Sequence, residues 1–557
     1  MPKKLQLHSV EITADTKLTQ NILKENKTLK QEIKQLKSRK RYGLVWESKP
    51  EEVVELCKEK LPVLVEDTKR EIKTDDKKPV NILIEGDNYH ALSVLNYTHE
   101  GKVDFIYIDP PYNTGNKDFI FNDRYVDKED TYRHSKWLSF MHRRLILAKN
   151  LLKNTGLILV SISDIEMPQL RMLMNEIFGE DNIEIMVWHK VGDDSGRLKI
   201  TRRFRLEHEY IIVGYKKKEK IFFRKYKEDR NYKNVYTNPD NDPRGAYKQG
   251  IISNTEESSN PKSEKYFIVV TPSGKKYTRQ WRCTKEEFDE LVKDNRIYYG
   301  KKGDSVPSLK VFISEPKDAT PISILQNFGT AKTAGLSLLE LFNGKRVFDY
   351  PKPVELIRHL IQIATSPEAI ILDFMAGTGT TGQAVLELNK DGGQRRFILC
   401  TNNENNICSE VCYPRVRKVI KGYTNLKGKK VGGLKENLKY FKTDFVDNAT
   451  TDKNKKKLVD KSTEMLCLKE DCFERVKTGK SFNIFKNPNE KYLGIIYDDD
   501  GIESFKKEAK KINKNFVVYV FSLDDSAREE EFEDMEDLVE LKPIPAVILN
   551  VYKRIFK

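Results

Sequence analysis

AIILDFMAGTGTTGQAVLELN, residues 369–389, runs from an apolar strand through a glycine-rich turn into a helix. Gly377 and Gly379 permit backbone dihedrals and a close approach that a β-carbon would block, so a ligand can lie against the main chain at the strand's carboxyl end. The turn lacks the GK[ST] of a triphosphate-binding loop, which disfavours a nucleoside triphosphate. Taken alone, such a turn serves packing more often than ligand binding, and it needs a second signal. Its surroundings read as a wound α/β sheet: helix KPVELIRHLIQIAT (352–365) precedes it, strand RFILCT (396–401) follows, and a further helix is predicted over 406–422.

An earlier block has the same texture. NILIEGD (81–87), VDFIYID (103–109) and LILVSIS (157–163) read as buried strands, with helices over 89–97, 133–152 and IEMPQLRMLMNEIFG (165–179). Immediately after VDFIYI stand Asp109, Pro110, Pro111, Tyr112, Asn113, Thr114 and Gly115. Two prolines fix the backbone and remove two N–H donors, leaving carbonyls to face a ligand beside the Asp109 carboxylate, and Tyr112 offers a ring. Such an acceptor cluster suits an exocyclic amine, which has two N–H donors and a lone pair conjugated into its ring. The competing reading is a proline-stiffened turn with a capping aspartate.

Between the blocks, 191–345 is rich in Lys, Arg, Tyr, Asn and Ser, with strand candidates YIIVGYK, IFFRKY and KYFIVVTP and polar loops such as SNTEESSNPKSEK. The clusters RLKITRRFR (197–205), carrying Arg202, Arg203 and Arg205, and KKKEK (216–220) alternate with aromatic residues. They suit contact with a phosphate backbone and bases, against the alternative of a solvated basic surface. EHEYIIVGY, with His208 and Glu209, reads as the edge of a strand and not as a ligand set.

The whole chain agrees with an anionic partner: 557 residues carry 99 Lys and Arg against 84 Asp and Glu, a formal charge of +15. No apolar run approaches the roughly 18 to 20 residues needed to span a bilayer, and MPKKLQLHSVEITAD lacks a signal peptide's apolar stretch. A soluble, cytoplasmic protein is expected. Seven scattered cysteines give neither a disulfide framework nor zinc spacing, and the eight histidines form no HExxH pattern, so no metal is expected. Ile12, Ile22, Leu29, Ile33 and Leu36 fit heptad a and d positions, giving a short coiled coil or, equally, a basic helix on the protein body. Residues 41–80 read as a helical lead-in, and DNATTDKNKKK (447–457) as a linker to a last α/β piece with strands YLGIIYD, NFVVYVFSL and PAVILNVYK. The acidic run REEEFEDMED reads as a solvated face.

Together the two motifs resemble the DNA amino-methyltransferases: DPPY is that family's catalytic motif and DxFxGxGxT its cofactor motif, here in the order of the permuted β group. GDNYHAL (86–92) and YPKPVELIRHLI (350–361) extend the likeness, and YPRVRKVIKGY (413–423) with GGLKENLKYFKTDF (432–445) resembles the modification subunits of Type III restriction systems. The resemblance implies a Rossmann-like α/β fold dependent on S-adenosylmethionine, an inserted α+β target recognition domain and a small C-terminal α/β domain. The expected divisions are 1–45 (helix or coiled coil), 46–190 (first catalytic part), 191–345 (recognition), 346–440 (second catalytic part) and 441–557 (C-terminal domain).

It further implies adenine-N6 methylation of double-stranded DNA. Asp109, Pro110, Pro111 and Tyr112 would hold the flipped adenine, with Tyr112 stacking on it. Asp373, Phe374, Met375, Ala376, Gly377, Gly379 and Thr380 would line the methionine half of the cofactor, which Asp109 also faces. Asp87 and Asn88 would sit near its adenine and Lys352 near its entrance. Strand RFILC should end in an acidic residue for the ribose, but runs into Thr401, Asn402 and Asn403 before Glu404, which is counted among the cofactor-binding residues while the ribose ligand stays open. A homodimer and a separate helicase-nuclease restriction subunit are the implied partners. N4-cytosine methylation presents the same amine geometry, with DPPY over SPPY favouring adenine. Methylation of RNA or of a protein glutamine, and a DNA-binding specificity subunit with an inactive methylase fold, are the other readings.

Overall fold

The computed structural model describes residues 30, 44–75, 77–192, 204–227, 236–315, 318–448 and 451–556. The heptad positions between 12 and 36, and the bases Arg202 and Arg203, lie outside the described residues.

A ten-stranded sheet organises the chain. Its strands are β1 (Lys60–Glu66), β2 (Val80–Glu85), β3 (Val103–Ile108), β4 (Leu152–Ile162), β5 (Ile183–His189), β6 (His208–Tyr215), β7 (Ile324–Leu325), β8 (Ile370–Asp373), β9 (Arg396–Thr401) and β10 (Asn437–Asp447). Their order across the sheet is β1-β10-β2-β9-β8-β3-β4-β6-β5-β7. From β10 to β4 all neighbours are parallel, while β1 and β6 run against theirs. The central strands are near-continuous apolar runs, as burial on both faces requires. Helices Asn88–Thr98, Arg133–Leu151 and Met167–Phe178 cover one face. Helices Ala331–Leu341, Val354–Ala364, Thr380–Leu388 and Tyr413–Lys421 cover the other.

Strands β8 and β3 are neighbours, yet the chain leaves β8 for β9 on one side and β3 for β4 on the other. At such a reversal the connections diverge and leave a crevice beyond the strands' carboxyl ends, where open α/β sheets bind ligands.

Several boundaries differ from the sequence reading. Among its described residues the helical lead-in of 41–80 holds one α-helix, Glu52–Glu59, then β1, whose apolar LPVLV pairs with β10, and a short 3-10 turn, Thr68–Arg70. EHEYIIVGY contains β6, an inner strand of the sheet, so within the segment 191–345 expected to serve recognition the chain leaves the sheet after Tyr215 and returns to it at β7. β10 carries the sheet seven residues past 440. The expected linker holds helix Asp452–Asp460, whose first turn is capped by the Thr451 hydroxyl. PAVILNVYK is not a strand but helix Ala546–Ile555: its buried Ile548 and Tyr552 lie four residues apart on one face. In IFFRKY only Tyr226 joins a strand, Tyr226–Lys227. The acidic run turns Phe532 and Met535 inward.

The described part of the insertion has its own core of Ile252, Val269, Tyr277, Trp281, Phe288 and Ile297, built from short antiparallel strands and helix Lys285–Lys293. The C-terminal part has a five-stranded sheet spanning Glu474–Ile544. It does not stand apart, because Tyr519 and Tyr552 belong to the same buried cluster as Tyr97, and the Tyr552 hydroxyl donates to the Pro62 carbonyl at 2.5 Å.

Candidate functional site

β3 delivers Asp109 to the crevice, and the residues after it are held from behind. The buried Trp137 indole donates to the Pro111 carbonyl at 2.7 Å, so that carbonyl anchors the loop and does not face a ligand. Asn113, fully buried and in the left-handed region at φ 56°, donates through Nδ2 to Glu166 Oε1 at 2.5 Å and to the Arg133 carbonyl at 3.2 Å. His134 Nδ1 meets the same Glu166 oxygen at 2.6 Å. Burial raises the Glu166 pKa against the pull of Asn113 and His134.

The Asp109 side chain is 28% exposed, which leaves it reachable from the crevice. Lys352 Nζ donates to Asp109 Oδ1 and Oδ2 at 2.9 and 2.8 Å and to the Tyr112 hydroxyl at 2.8 Å. The Tyr112 hydroxyl in turn donates to Glu209 Oε2 at 2.9 Å, and Lys190 Nζ reaches Glu209 Oε1 at 3.2 Å. Burial raises the Asp109 pKa, with Lys352 opposing. Burial disfavours the Lys352 ammonium too, but Asp109 and Glu209 outweigh it and hold its pKa above the usual value. Glu209 lies below the usual carboxylate range, since Lys352 and Lys190 overcome its burial. Lys352, expected near a cofactor entrance, thus lies with its Nζ against Asp109 and Tyr112.

The glycine turn follows β8. Asp373 is spent on the turn: Oδ1 accepts from the Met375 amide at 3.0 Å and Oδ2 from the Thr381 hydroxyl at 2.5 Å, and burial pushes its pKa up to about 7. The side chains of Phe374 and Ala376 are buried in the two cores, whereas Met375 is half-buried. Gly377 (φ +49°) faces open space: a Cβ there would meet nothing within 4 Å. Gly379 (φ +80°) begins helix Thr380–Leu388, and its Cβ would lie 3.0 Å from Cys412 Sγ. Arg415, 1% exposed, donates to the Thr378 and Thr380 hydroxyls, both at 2.8 Å, and to Gln383 at 2.8 Å.

At the end of β2, Asp87 caps helix Asn88–Thr98 by accepting from the Tyr89 amide at 2.7 Å. Buried Arg144 ties this corner together through Asn88 Oδ1 (2.5 Å), Asp87 (3.6 Å) and Glu51 (2.6 Å). Glu404, exposed just past β9, has its pKa raised by partial burial and by Asp123 and Asp87. Thus the carboxyl ends of β2, β9, β8 and β3 carry Asp87 and Asn88, Glu404, the Gly377 turn and Asp109 along one edge. Arg205 lies outside this edge, 3.5 Å from Glu207 and 42% exposed, beside the almost wholly exposed Phe204. Among the described residues no group of three or more His, Cys, Asp or Glu is placed to hold a metal ion, and no helix is long and apolar enough to cross a membrane.

Lys190, Arg144, Arg415 and Glu166 escaped the sequence reading, and Glu209 was read only as the edge of a strand. Each is a lone charged residue without a local motif. Only Glu209, beside an apolar run, offered a signal: a carboxylate at the start of an inner strand.

A mixed sheet with a parallel centre, and with a glycine turn and an acidic proline loop at adjacent parallel strand ends, defines the class: the Rossmann-like fold of S-adenosylmethionine-dependent methyltransferases. Residues 103–411, more than half of the chain, match the DNA methylase family, and the chain belongs to that family. It is 34% identical over 367 residues to the Type III restriction-modification enzyme StyLTI Mod subunit of Salmonella typhimurium, covering 61% of this chain and 55% of the relative. The EcoP15I Mod subunit of Escherichia coli is 29% identical over 397 residues, 60% of each chain. The Type II methyltransferase M.KpnI of Klebsiella pneumoniae is 33% identical over 342 residues, 57% of this chain and 79% of the relative. The match thus spans little more than half the length of the Mod subunits.

Proposed function

We propose that this protein methylates the exocyclic N6 of adenine in double-stranded DNA, using S-adenosylmethionine, as the modification subunit of a Type III-like restriction-modification system. The observation that carries the reading is the placement of the Asp109 loop and the Gly377 turn at the ends of adjacent parallel strands. The resident cofactor fits this edge, because Gly377 leaves open the space that a side chain would fill. The turn from Phe374 to Gly377 would hold its methionine half, Asp87 and Asn88 its adenine, and Glu404 its ribose. When bound it supplies an electrophilic sulfonium methyl.

What the chain's own residues do is position and accept. A base inside a duplex cannot reach the crevice, so it must be extruded at a few kcal/mol. Stacking on the Tyr112 ring offsets about 1 to 3 kcal/mol of this. The Asp109 carboxylate accepts an amine N–H, orients the nitrogen lone pair and stabilises positive charge developing there. Specific contact with DNA is assigned to the insertion and its basic approach, where Arg205 and Phe204 are exposed and Arg202 and Arg203 are their neighbours in sequence. A homodimer is the proposed assembly, and the naming of the Mod relatives as subunits of restriction-modification enzymes supports a separate restriction subunit as a further partner.

Incubation of unmodified genomic DNA with the purified protein and cofactor, followed by nucleoside mass spectrometry, tests this reading. N6-methyladenine is expected. N4-methylcytosine, or no methylated base, overturns it. Asp109→Ala should abolish the product while calorimetry still shows cofactor binding, because the carboxylate serves the amine.

A further inference from the structure

We propose that Lys352 is a displaceable plug over the Asp109 acceptor and that Glu209 is the positioning residue that receives its charge when a target amine enters. The proposal rests on Asp109 being the amine acceptor. Lys352 has three N–H donors, and all three are committed: two to the Asp109 oxygens and one to the Tyr112 hydroxyl. The Asp109 oxygens are the acceptors an incoming amine requires, and although each can accept a second hydrogen bond, the ammonium that bridges both competes with the target for them.

A neutral amine does not displace a buried ion pair unless the cation finds another anion nearby. Glu209 provides one, with an oxygen already 3.4 Å from Lys352 Nζ. Its remaining charge partner is Lys190, at 3.2 Å on the other oxygen. Pro351 and Pro353 flank Lys352 and stiffen its backbone, so the movement is confined to its four-carbon stem. The Tyr112 hydroxyl lies between the two berths and bonds to both sides, accepting from Lys352 and donating to Glu209. Its ring orientation is therefore coupled to the place of the lysine. The titratable groups facing Asp109 are Lys352, Glu209, Tyr112, Tyr107 and Asp373.

The test is a double-mutant cycle on methyl transfer to unmodified DNA, with wild type, Glu209→Gln, Lys352→Met and the double variant read across pH. Glu209→Gln preserves shape and an acceptor for the Tyr112 hydroxyl but removes the second berth. Its kcat/KM should fall about tenfold or more, as expected when a buried cation loses one of its partners. The acid limb of its profile should move to lower pH, because the lysine is then confined to Asp109. Lys352→Met should move that limb to higher pH while turnover persists at alkaline pH. In the Met background the Gln substitution should do little further harm.

An equal penalty for Glu209→Gln in both backgrounds shows a merely structural role and overturns the proposal. So does wild-type activity in Glu209→Gln. Should the Gln variant melt early, Lys352→Met still decides, since loss of turnover at every pH means the lysine is required and is not a plug. Failure of wild type to methylate DNA refutes the proposed function instead, and is scored before any variant is compared.

Discussion

Gly377 and Gly379 occupy one turn, but a side chain would meet different surroundings at each. At Gly377 it would enter open space, and at Gly379 it would press on Cys412 Sγ at 3.0 Å. Both have positive φ, so any β-carbon adds strain of about 1 to 2 kcal/mol. Gly377→Ala should therefore lower stability by about that strain alone and abolish cofactor binding. Gly379→Ala should lose more stability, because the contact with Cys412 adds to the strain. Calorimetry and thermal melting of both variants check this, and equal melting losses would refute the distinction. Asp373 invites a second measurement. Its folded pKa is pushed up to about 7 by burial, against 3.8 for the free group, so stability falls as pH rises through that window. Asp373→Asn keeps the shape and cannot ionise. Its melting temperature relative to wild type should climb between pH 3.8 and about 7 and then level, and a flat difference would show that Asp373 ionises normally. The Asp109 loop and the Gly377 turn, which the sheet places at the ends of adjacent strands, could be singled out in sequence because each is a contiguous motif. Glu209 could not, since it meets Tyr112 across 97 positions and only the folded sheet joins them.

At the scale of elements, strands with long apolar runs were legible from their own residues. β1 was not: its short apolar run lies among charges, and its identity is conferred by antiparallel pairing with β10. The C-terminal helix was misread for a related reason, as AVILNVY satisfies both an apolar strand and a buried helix until its packing is known. The insertion illustrates a polar element with its own stability. Lys310, wholly buried, reaches Asp240 at 2.6 Å and Asp242 at 3.0 Å, and Asp242 also holds Arg244 at 3.0 Å. Removing one partner from a buried ion cluster strands the remaining charge. Lys310→Met should destabilise the insertion by about 3 kcal/mol, toward the lower end for such losses because Arg244 stays with Asp242. Hydrogen exchange should show Tyr247–Gly250 and Ser308–Phe312 losing protection while β2, β3 and β9 keep theirs. Equal loss throughout would mean that insertion and sheet unfold as one unit.

Across the whole molecule, the sheet alternates strands from the two ends of the chain. β10 separates β1 from β2, and β9 and β8 separate β2 from β3. Neither half of the sequence can therefore complete the ten-stranded sheet alone, whereas the insertion loop Thr255–Ser259 contributes no strand and is exposed except for the partly buried Ser259. Severing the chain after Glu256 should give two pieces, neither of which reaches the native circular dichroism spectrum in isolation, that combine when co-expressed into a nicked protein with that spectrum. A first piece that acquired that spectrum unaided would contradict this. Interdigitation of this kind makes chain continuity dispensable and mutual recognition of the halves compulsory, so the large sheet can be divided between two genes and then exists only where both are expressed.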